Sequence, residues 1–229
     1  MPPLAVLFDL DGTLIDSEGL WWRAECHVVE GLGGSWTTED QALCLGGPLE
    51  RVTAYMARIT GAEMAPEVIG TTLLDEMERL LRSEPLEWRP GARELLLECR
   101  RLDVPTGLVS ASHRRLLDAV DEAIDREVAG QAGGPDGGAA FDVTVAGDEV
   151  SNGKPHPEPY VAAARLLGLD ITDCVVLEDS PTGVESGQAS GAFVVAIPHI
   201  VDIPPAPRRR VIPTLEGVRV ADLSAWRAV

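Results

Sequence analysis

Five short runs of the chain are apolar or β-branched at most positions: residues 4–8, 106–109, 141–145, 174–177 and 192–197. Each is too short for a helix and is bounded by turn-forming or polar residues, the pattern of strands buried on both faces of a parallel sheet. Between them, residues 91–102, 116–125 and 159–167 carry helical patterns, the first led in by Pro90 near a first helical position. Strands alternating with helices predict an open parallel α/β sheet. Residues 16–88 break that rhythm. They read as successive helices at 18–31, 38–43, 49–59 and 66–81, with no convincing strand. The expected organisation is a sheet core formed by residues 1–15 and 89–229, with an inserted all-helical cap at 16–88. Residues 131–140, with four glycines and a proline, predict a surface loop, and 198–213 a further irregular segment that includes Arg208–Arg210 as a solvated loop.

Charge narrows the partners. The chain has 37 acidic and 19 basic residues, a formal net charge of −18. A surface this acidic repels phosphodiester backbones and anionic lipid, so neither nucleic acid nor membrane is an expected partner. No apolar run reaches the ~20 residues that span a bilayer, and the first residues lack a basic stretch before Asp9. The expected setting is cytoplasmic. Cys26, Cys44, Cys99 and Cys174 are widely separated and form no CxxC pair, which predicts reduced thiols and no zinc site. Among the basic residues only one is lysine, Lys154. A chain that otherwise uses arginine keeps a lysine where a compact ammonium fits and a guanidinium fork does not.

Candidate chemistry follows from asking what stands at the ends of the predicted strands, because ligands of open parallel sheets bind outside the carboxyl ends. After the first run comes Asp9-Leu10-Asp11-Gly12-Thr13, and after the second Ser110-Ala111-Ser112. Gly153-Lys154-Pro155 precedes the fourth run, and Glu178-Asp179-Ser180 follows it. Asp9 and Asp11 are two apart, which in a strand turns both side chains the same way. Carboxylates that close repel one another unless a cation or proton compensates, and hard oxygen ligands in this number call for Mg²⁺. One carboxylate can then attack an electrophile while a second handles a proton. Ser110 and Lys154 suit an oxyanion. Together these groups describe phosphoryl transfer through an acyl phosphate. Each piece alone reads equally as a turn, a helix cap or a loop; their order on successive strand ends is what argues for a site.

At this point the sequence resembles a known family. Asp9-Leu10-Asp11-Gly12-Thr13-Leu14, Ser110, Lys154 within Gly-Lys-Pro, and Glu178-Asp179 are similar to the four-motif signature of the haloacid dehalogenase superfamily. Asp16-Ser17-Glu18, Arg89-Pro90-Gly91 and Gly147-Asp148-Glu149 extend the likeness to members with a helical cap of the C1 type, among them sugar-phosphate phosphatases and β-phosphoglucomutase. The resemblance implies a Rossmann-like core and a Mg²⁺-dependent phosphatase acting on a small organic phosphate ester, with sugar phosphates first. It implies Asp9 as the nucleophile and Asp11 as the acid/base and a metal ligand through its backbone carbonyl. Ser110, the Ala111 amide and Lys154 are implied as phosphate holders. Glu178 and Asp179, with the Asp9 carboxylate, are implied to complete the metal site. Glu18, Trp21, Trp22 and Arg51, near the cap's entry and the Leu45-Gly46-Gly47 turn, are the candidate substrate readers.

Neighbouring activities separate on single residues. Asp11 with Glu178-Asp179 argues against a dehalogenase, and a cap without lysine excludes a Schiff-base phosphonoacetaldehyde hydrolase. A receiver domain places its phosphorylated aspartate after the third strand, whereas Asp9 follows the first. The alternative with the same motifs is a phosphosugar mutase. Mutases of that type typically carry Val at the position of Thr13 and His at that of Trp21, so hydrolysis is the favoured reading. A non-catalytic phosphoryl-binding module is opposed by a complete motif set. The expected form is a monomer or small homo-oligomer.

Overall fold

The computed structural model describes residues 5–44, 47–129 and 139–228. Leu4, Leu45-Gly46 and most of the predicted loop at 131–140 lie outside the described residues. Two compact units are present, one of Met1–Asp16 with Leu86–Val229 and one of Ser17–Pro85.

The larger unit is an α/β fold of the Rossmann-like kind. Among the described residues it contains a six-stranded sheet, parallel throughout: β1 (Ala5–Phe8), β2 (Thr106–Val109), β3 (Val143–Val145), β4 (Cys174–Glu178), β5 (Phe193–Ala196) and β6 (Arg209–Val211). The order is β3-β2-β1-β4-β5-β6, so the chain steps outward from β1 to one side and then restarts on its other side with β4. That reversal opens a crevice at the carboxyl ends of β1 and β4. Every residue of β1, β2, β4 and β5 is buried, as expected of strands covered on both faces. Helices α7 (Glu158–Leu166) and α8 (Pro181–Ser190) cover one face, where Tyr160, Ala163 and Val184 join Leu7, Val176 and Val194 in one apolar cluster. α5 (Ala92–Arg101) lies against β2 and α9 (Val220–Arg227), and α6 (Arg114–Val128) buries Leu116, Leu117, Val120 and Ile124.

Two departures from the sequence pattern have local causes. β3 starts at Val143, not at residue 141, because the Asp142 carboxylate takes the Thr106 amide at 2.7 Å and so replaces a ladder bond. Phe141 instead sets its ring edge-on to Phe8, 5.7 Å between centroids. The segment 198–213 is not wholly irregular, since it contains β6, paired with β5. Its arginines serve the fold. Arg208 donates to the Gly191 carbonyl at 2.8 Å, Arg209 to the Pro204 carbonyl at 2.7 Å, and Arg210 stacks 4.5 Å over the Trp226 ring.

Among the described residues the regular elements of the smaller unit are helices: α1 (Glu18–Gly31), α2 (Thr38–Cys44), α3 (Leu49–Thr60) and α4 (Pro66–Ser83). α4 packs against α1 and α3, burying Val29, Met56, Ile69, Leu73 and Met77. Beside the hydroxyls of Ser17 and Thr53, the described residues of this unit bury one acid, Glu25, which accepts a hydrogen bond from Trp36 Nε1 at 2.9 Å. Burial pushes its carboxyl up to about 7, against the Trp36 bond and with help from Glu18. Among the described residues, no helix is long and apolar enough to cross a membrane.

The folded protein therefore holds a proton on Glu25 that the unfolded chain releases, between pH 4.5 and about 7. Stability from this group is present at acid pH and is lost as pH rises through that window. Glu25→Gln keeps the shape and an acceptor for Trp36. It is expected to exceed the parent by about 1–3 kcal/mol at pH 8 and by little at pH 5, read by urea unfolding. An equal difference at both pH values would refute the buried-carboxyl account.

Candidate active site

Sheet register brings the polar groups to one height. Phe8 pairs with Leu108 on one side and Leu177 on the other, so the next residues, Asp9, Val109 and Glu178, stand level at the crevice. The Asp9 amide continues the ladder to the Leu177 carbonyl at 3.0 Å. Lys154 enters from the segment before α7, and its ammonium is the centre of the cluster. It donates to Asp9 Oδ1 at 2.6 Å, Glu178 Oε1 at 2.7 Å and the Val109 carbonyl at 3.0 Å, with only 6% of its side chain exposed. The Tyr160 ring lies 4.9 Å from the same nitrogen, and its hydroxyl donates to Glu178 Oε1 at 2.6 Å. Ser180 supplies its amide and hydroxyl to Glu178 Oε2 at 3.4 and 3.2 Å, while its own oxygen caps α8 at the Gly183 amide. Glu178 thus accepts four hydrogen bonds from the protein itself.

Two glycines make the approach possible. A Cβ on Gly183 would collide with the Glu178 carboxylate, and one on Gly12 with Asp179 Oδ2. Gly12 also sits at φ +85°, a left-handed conformation that glycine adopts without strain. The turn it makes carries Asp11 away from a strand path. β1 ends at Phe8, and Asp11 does not join the group of carboxylates formed by Asp9, Glu178 and Asp179. Its Oδ2 accepts from Ser112 Oγ at 3.2 Å. Strand alternation is therefore the wrong reason for placing Asp9 and Asp11 together. Ser110 is buried, and its oxygen accepts the Ser112 amide at 2.9 Å. Ala111 follows it on an exposed turn.

The electrostatics express three acids around one base. Burial raises the Asp9 carboxyl well above the usual range, Glu178 adds to this, and Lys154 opposes it. Burial and then Glu178 push Asp179 up to about 7, again against Lys154. Burial works against charge on Lys154, yet Asp9 and Glu178 outweigh it and hold the ammonium protonated. One atom each of Asp9, Glu178 and Asp179 falls within a 4.8 Å span. Hard oxygen donors with excess negative charge fit Mg²⁺, the ion the sequence implied.

A family model for haloacid dehalogenase-like hydrolases matches residues 3–191. The chain belongs to that family. Hexitol phosphatase B of Escherichia coli K12 is 30% identical over 198 residues, which cover 85% of this chain and 83% of that protein. A phosphorylated carbohydrates phosphatase of Thermotoga maritima is 31% identical over 187 residues, 82% of this chain and 81% of that one. Among solved structures, CbbY from Rhodobacter sphaeroides in complex with xylulose-1,5-bisphosphate superposes with a TM-score of 0.77. It covers 96% of this chain and 98% of its own at 24% identity, a likeness of fold. This haloacid dehalogenase-like hydrolase is an enzyme of the phosphatase kind.

The remaining expected residues belong to the helical unit. Glu18, Trp21 and Trp22 lie half-buried on α1. Arg51 serves the fold of that unit. Its guanidinium donates to the Leu43 and Cys44 carbonyls at 3.3 and 3.4 Å, closing the end of α2. Ser112 and Ser180 stand in the strand-end runs but the sequence pattern assigns them no part in the site, and it does not single out Tyr160 at all. Tyr160, one of two tyrosines in the chain and six residues beyond the sole lysine, carries the one usable signal.

Removing the ammonium leaves Asp9 and Glu178 buried without their shared partner. Lys154→Met is expected to lower stability by about 3–5 kcal/mol, seen as a reduced urea midpoint in metal-free buffer at pH 7.5. An unchanged midpoint would show that the lysine does not balance these carboxylates.

Proposed function

We propose that this hydrolase is a Mg²⁺-dependent phosphatase that cleaves a small phosphate monoester, a phosphorylated carbohydrate, through an aspartyl phosphate on Asp9. The observation that carries the reading is the Asp9 carboxylate at the switch-point crevice, gripped through one oxygen by a buried lysine. Because Lys154 takes Oδ1, attack falls to Oδ2. The Oδ2–phosphorus bond forms as the ester oxygen–phosphorus bond breaks, and Asp11 gives its proton to the departing sugar oxygen. Water then attacks phosphorus, Asp11 takes a proton from it, and the aspartyl bond breaks to release phosphate.

The Ser110 hydroxyl, whose oxygen already accepts the Ser112 amide, directs its own proton outward as a donor to a phosphoryl oxygen. The Ala111 amide completes that cradle, and Lys154, whose three N–H groups already meet Asp9, Glu178 and the Val109 carbonyl, adds its positive charge. Asp9, Asp179 and the Asp11 backbone carbonyl would hold Mg²⁺, which supplies positive charge against the phosphoryl group when bound. Glu178, with its oxygens already engaged, serves chiefly to fix Lys154. The helical unit acts as the cap, with Glu18, Trp21 and Trp22 as readers of the leaving group. Curated relatives named for hexitol and carbohydrate phosphates support that substrate class.

The test is Mg²⁺-dependent turnover on a panel of sugar and hexitol phosphates including β-glucose 1-phosphate, measuring free phosphate and glucose 6-phosphate together. Phosphate release on one or a few esters is expected. Asp9→Asn should lose at least about 10³-fold in kcat with the fold retained by circular dichroism, the scale expected for removing a nucleophile. Undiminished turnover in Asp9→Asn would overturn the mechanism. Glucose 6-phosphate accumulating without phosphate would make the enzyme a mutase.

A further inference from the structure

His199 lies outside all four motifs, just beyond β5 on the edge of the sheet where the acids gather. Only 18% of its side chain is exposed. Its Nε2 faces Asp16 Oδ2 at 3.9 Å, an oxygen that Arg89 Nη1 approaches to 3.5 Å. Its other ring nitrogen faces Gly12. A Cβ placed on Gly12 would stand 3.2 Å from His199 Nδ1 while colliding with Asp179 Oδ2. Imidazole and carboxylate therefore share the space left open over a residue with no side chain.

We propose that His199 is a positioning residue for Asp179: set beside Asp16 at one nitrogen, it bounds with its other the space over Gly12 that the Asp179 carboxylate occupies, and keeps that carboxylate turned toward Asp9 and Glu178. This rests on the cation site proposed above. An aspartate has a short side chain with few rotamers, and its Oδ2 already lies over Gly12, so the direction that competes with the inward one leads outward from there toward His199. Any other residue at position 12 would block that side with its own Cβ, but it would also displace Asp179. A ring nitrogen set from a distance, with its lone pair toward the carboxylate, repels it inward without doing so, which a bare ring edge does not. Burial and the neighbouring Arg89 guanidinium lower the His199 pKa, with Asp16 opposing, so the ring adds no positive charge beside a cation site at neutral pH. Groups that orient a metal-binding side chain without touching the ion set affinity strongly, typically by about 10–100-fold.

The measurement is Mg²⁺ binding by isothermal titration calorimetry on the full-length protein in phosphate-free buffer, with Mg²⁺ alone as probe. His199→Ala is expected to weaken binding about 10-fold. His199→Phe, which fills the space without a polar edge, should weaken it as much. His199→Asn places an acceptor near the Nδ1 position and should bind within about 2-fold of the parent, well short of that loss. The Ala variant is dispensable if it does not fold, because the comparison of Phe with Asn decides alone. Phe binding as tightly as the parent would make the ring a filler and overturn the proposal, as would an Asn variant as weak as Phe. Asp179→Asn is the control for the underlying reading. If it binds Mg²⁺ like the parent, the cation site itself is wrong; if it loses binding while the His199 variants do not, only this inference fails.

Discussion

Three carboxylates gathered around one buried ammonium are not balanced by it alone, and that imbalance organises the crevice. Lys154 satisfies Asp9 and Glu178 at hydrogen-bond distance, yet burial still lifts Asp9 and Asp179 out of the ordinary carboxylate range. Charges at such separations in a partly dry site interact by several kcal/mol, so a protein holding them apart from water needs a compensating cation or bound protons. The shape of the ammonium matters as much as its charge. Asp9 Oδ1, Glu178 Oε1 and the Val109 carbonyl surround one nitrogen, and the Tyr160 ring backs it. A guanidinium spreads its donors in a plane and does not meet three acceptors at one point. The single lysine of an arginine-using chain sits where only lysine chemistry closes the geometry.

Backbone register delivers this cluster before any side chain is considered. Asp9, Val109 and Glu178 are level because Phe8 pairs with both Leu108 and Leu177. A slip of one residue in either ladder would turn a carboxylate into the core. Where side chains would then crowd, the chain has glycine. Gly183 lets α8 begin against the Glu178 carboxylate, and Gly12 lets Asp179 close over the exit from β1. Precision in the site comes from parallel-sheet geometry, with absence of a Cβ at two positions as the fine adjustment.

This explains which parts of the fold are legible in the sequence. Central strands buried on both faces write themselves as short apolar runs, and all four are recognisable there within a residue or two at each end. Helices with an apolar stripe, such as α1, α3 and α4, are equally plain. α8 is not, because it meets the sheet through Gly183, Ser186 and Gly187, with Val184 its one large apolar contact, and small residues leave no periodic signal. β6 is hidden for another reason. As an edge strand it pairs on one side only, and two of its three residues are arginine, a composition that guards an edge and reads as loop. Of the site, the acids, Ser110 and Lys154 can be read from their order on strand ends. Tyr160 and His199 cannot, since their relation to the acids exists only after the sheet has brought distant segments together; Ser180 stands two residues from Glu178, and its position there reads as no more than a helix cap.

Under the proposed function, chemistry and selection occupy different parts of the chain. Asp9, Asp11, Ser110, Lys154, Glu178 and Asp179 all belong to the larger unit, as do Tyr160 and Ser180, which with Lys154 donate hydrogen bonds to Asp9 and Glu178. The helical unit has its own interior and its own polar network: Glu25 with Trp36, Trp36 edge-on to Tyr55, Tyr55 to Asp40 and Arg58 over the Tyr55 ring. A network that closes on itself can change without disturbing the charge balance around Lys154. On this reading, substitutions in residues 17–85 alter which ester is accepted at little cost to phosphoryl transfer, whereas any change in the acid cluster must be matched by a change in its base.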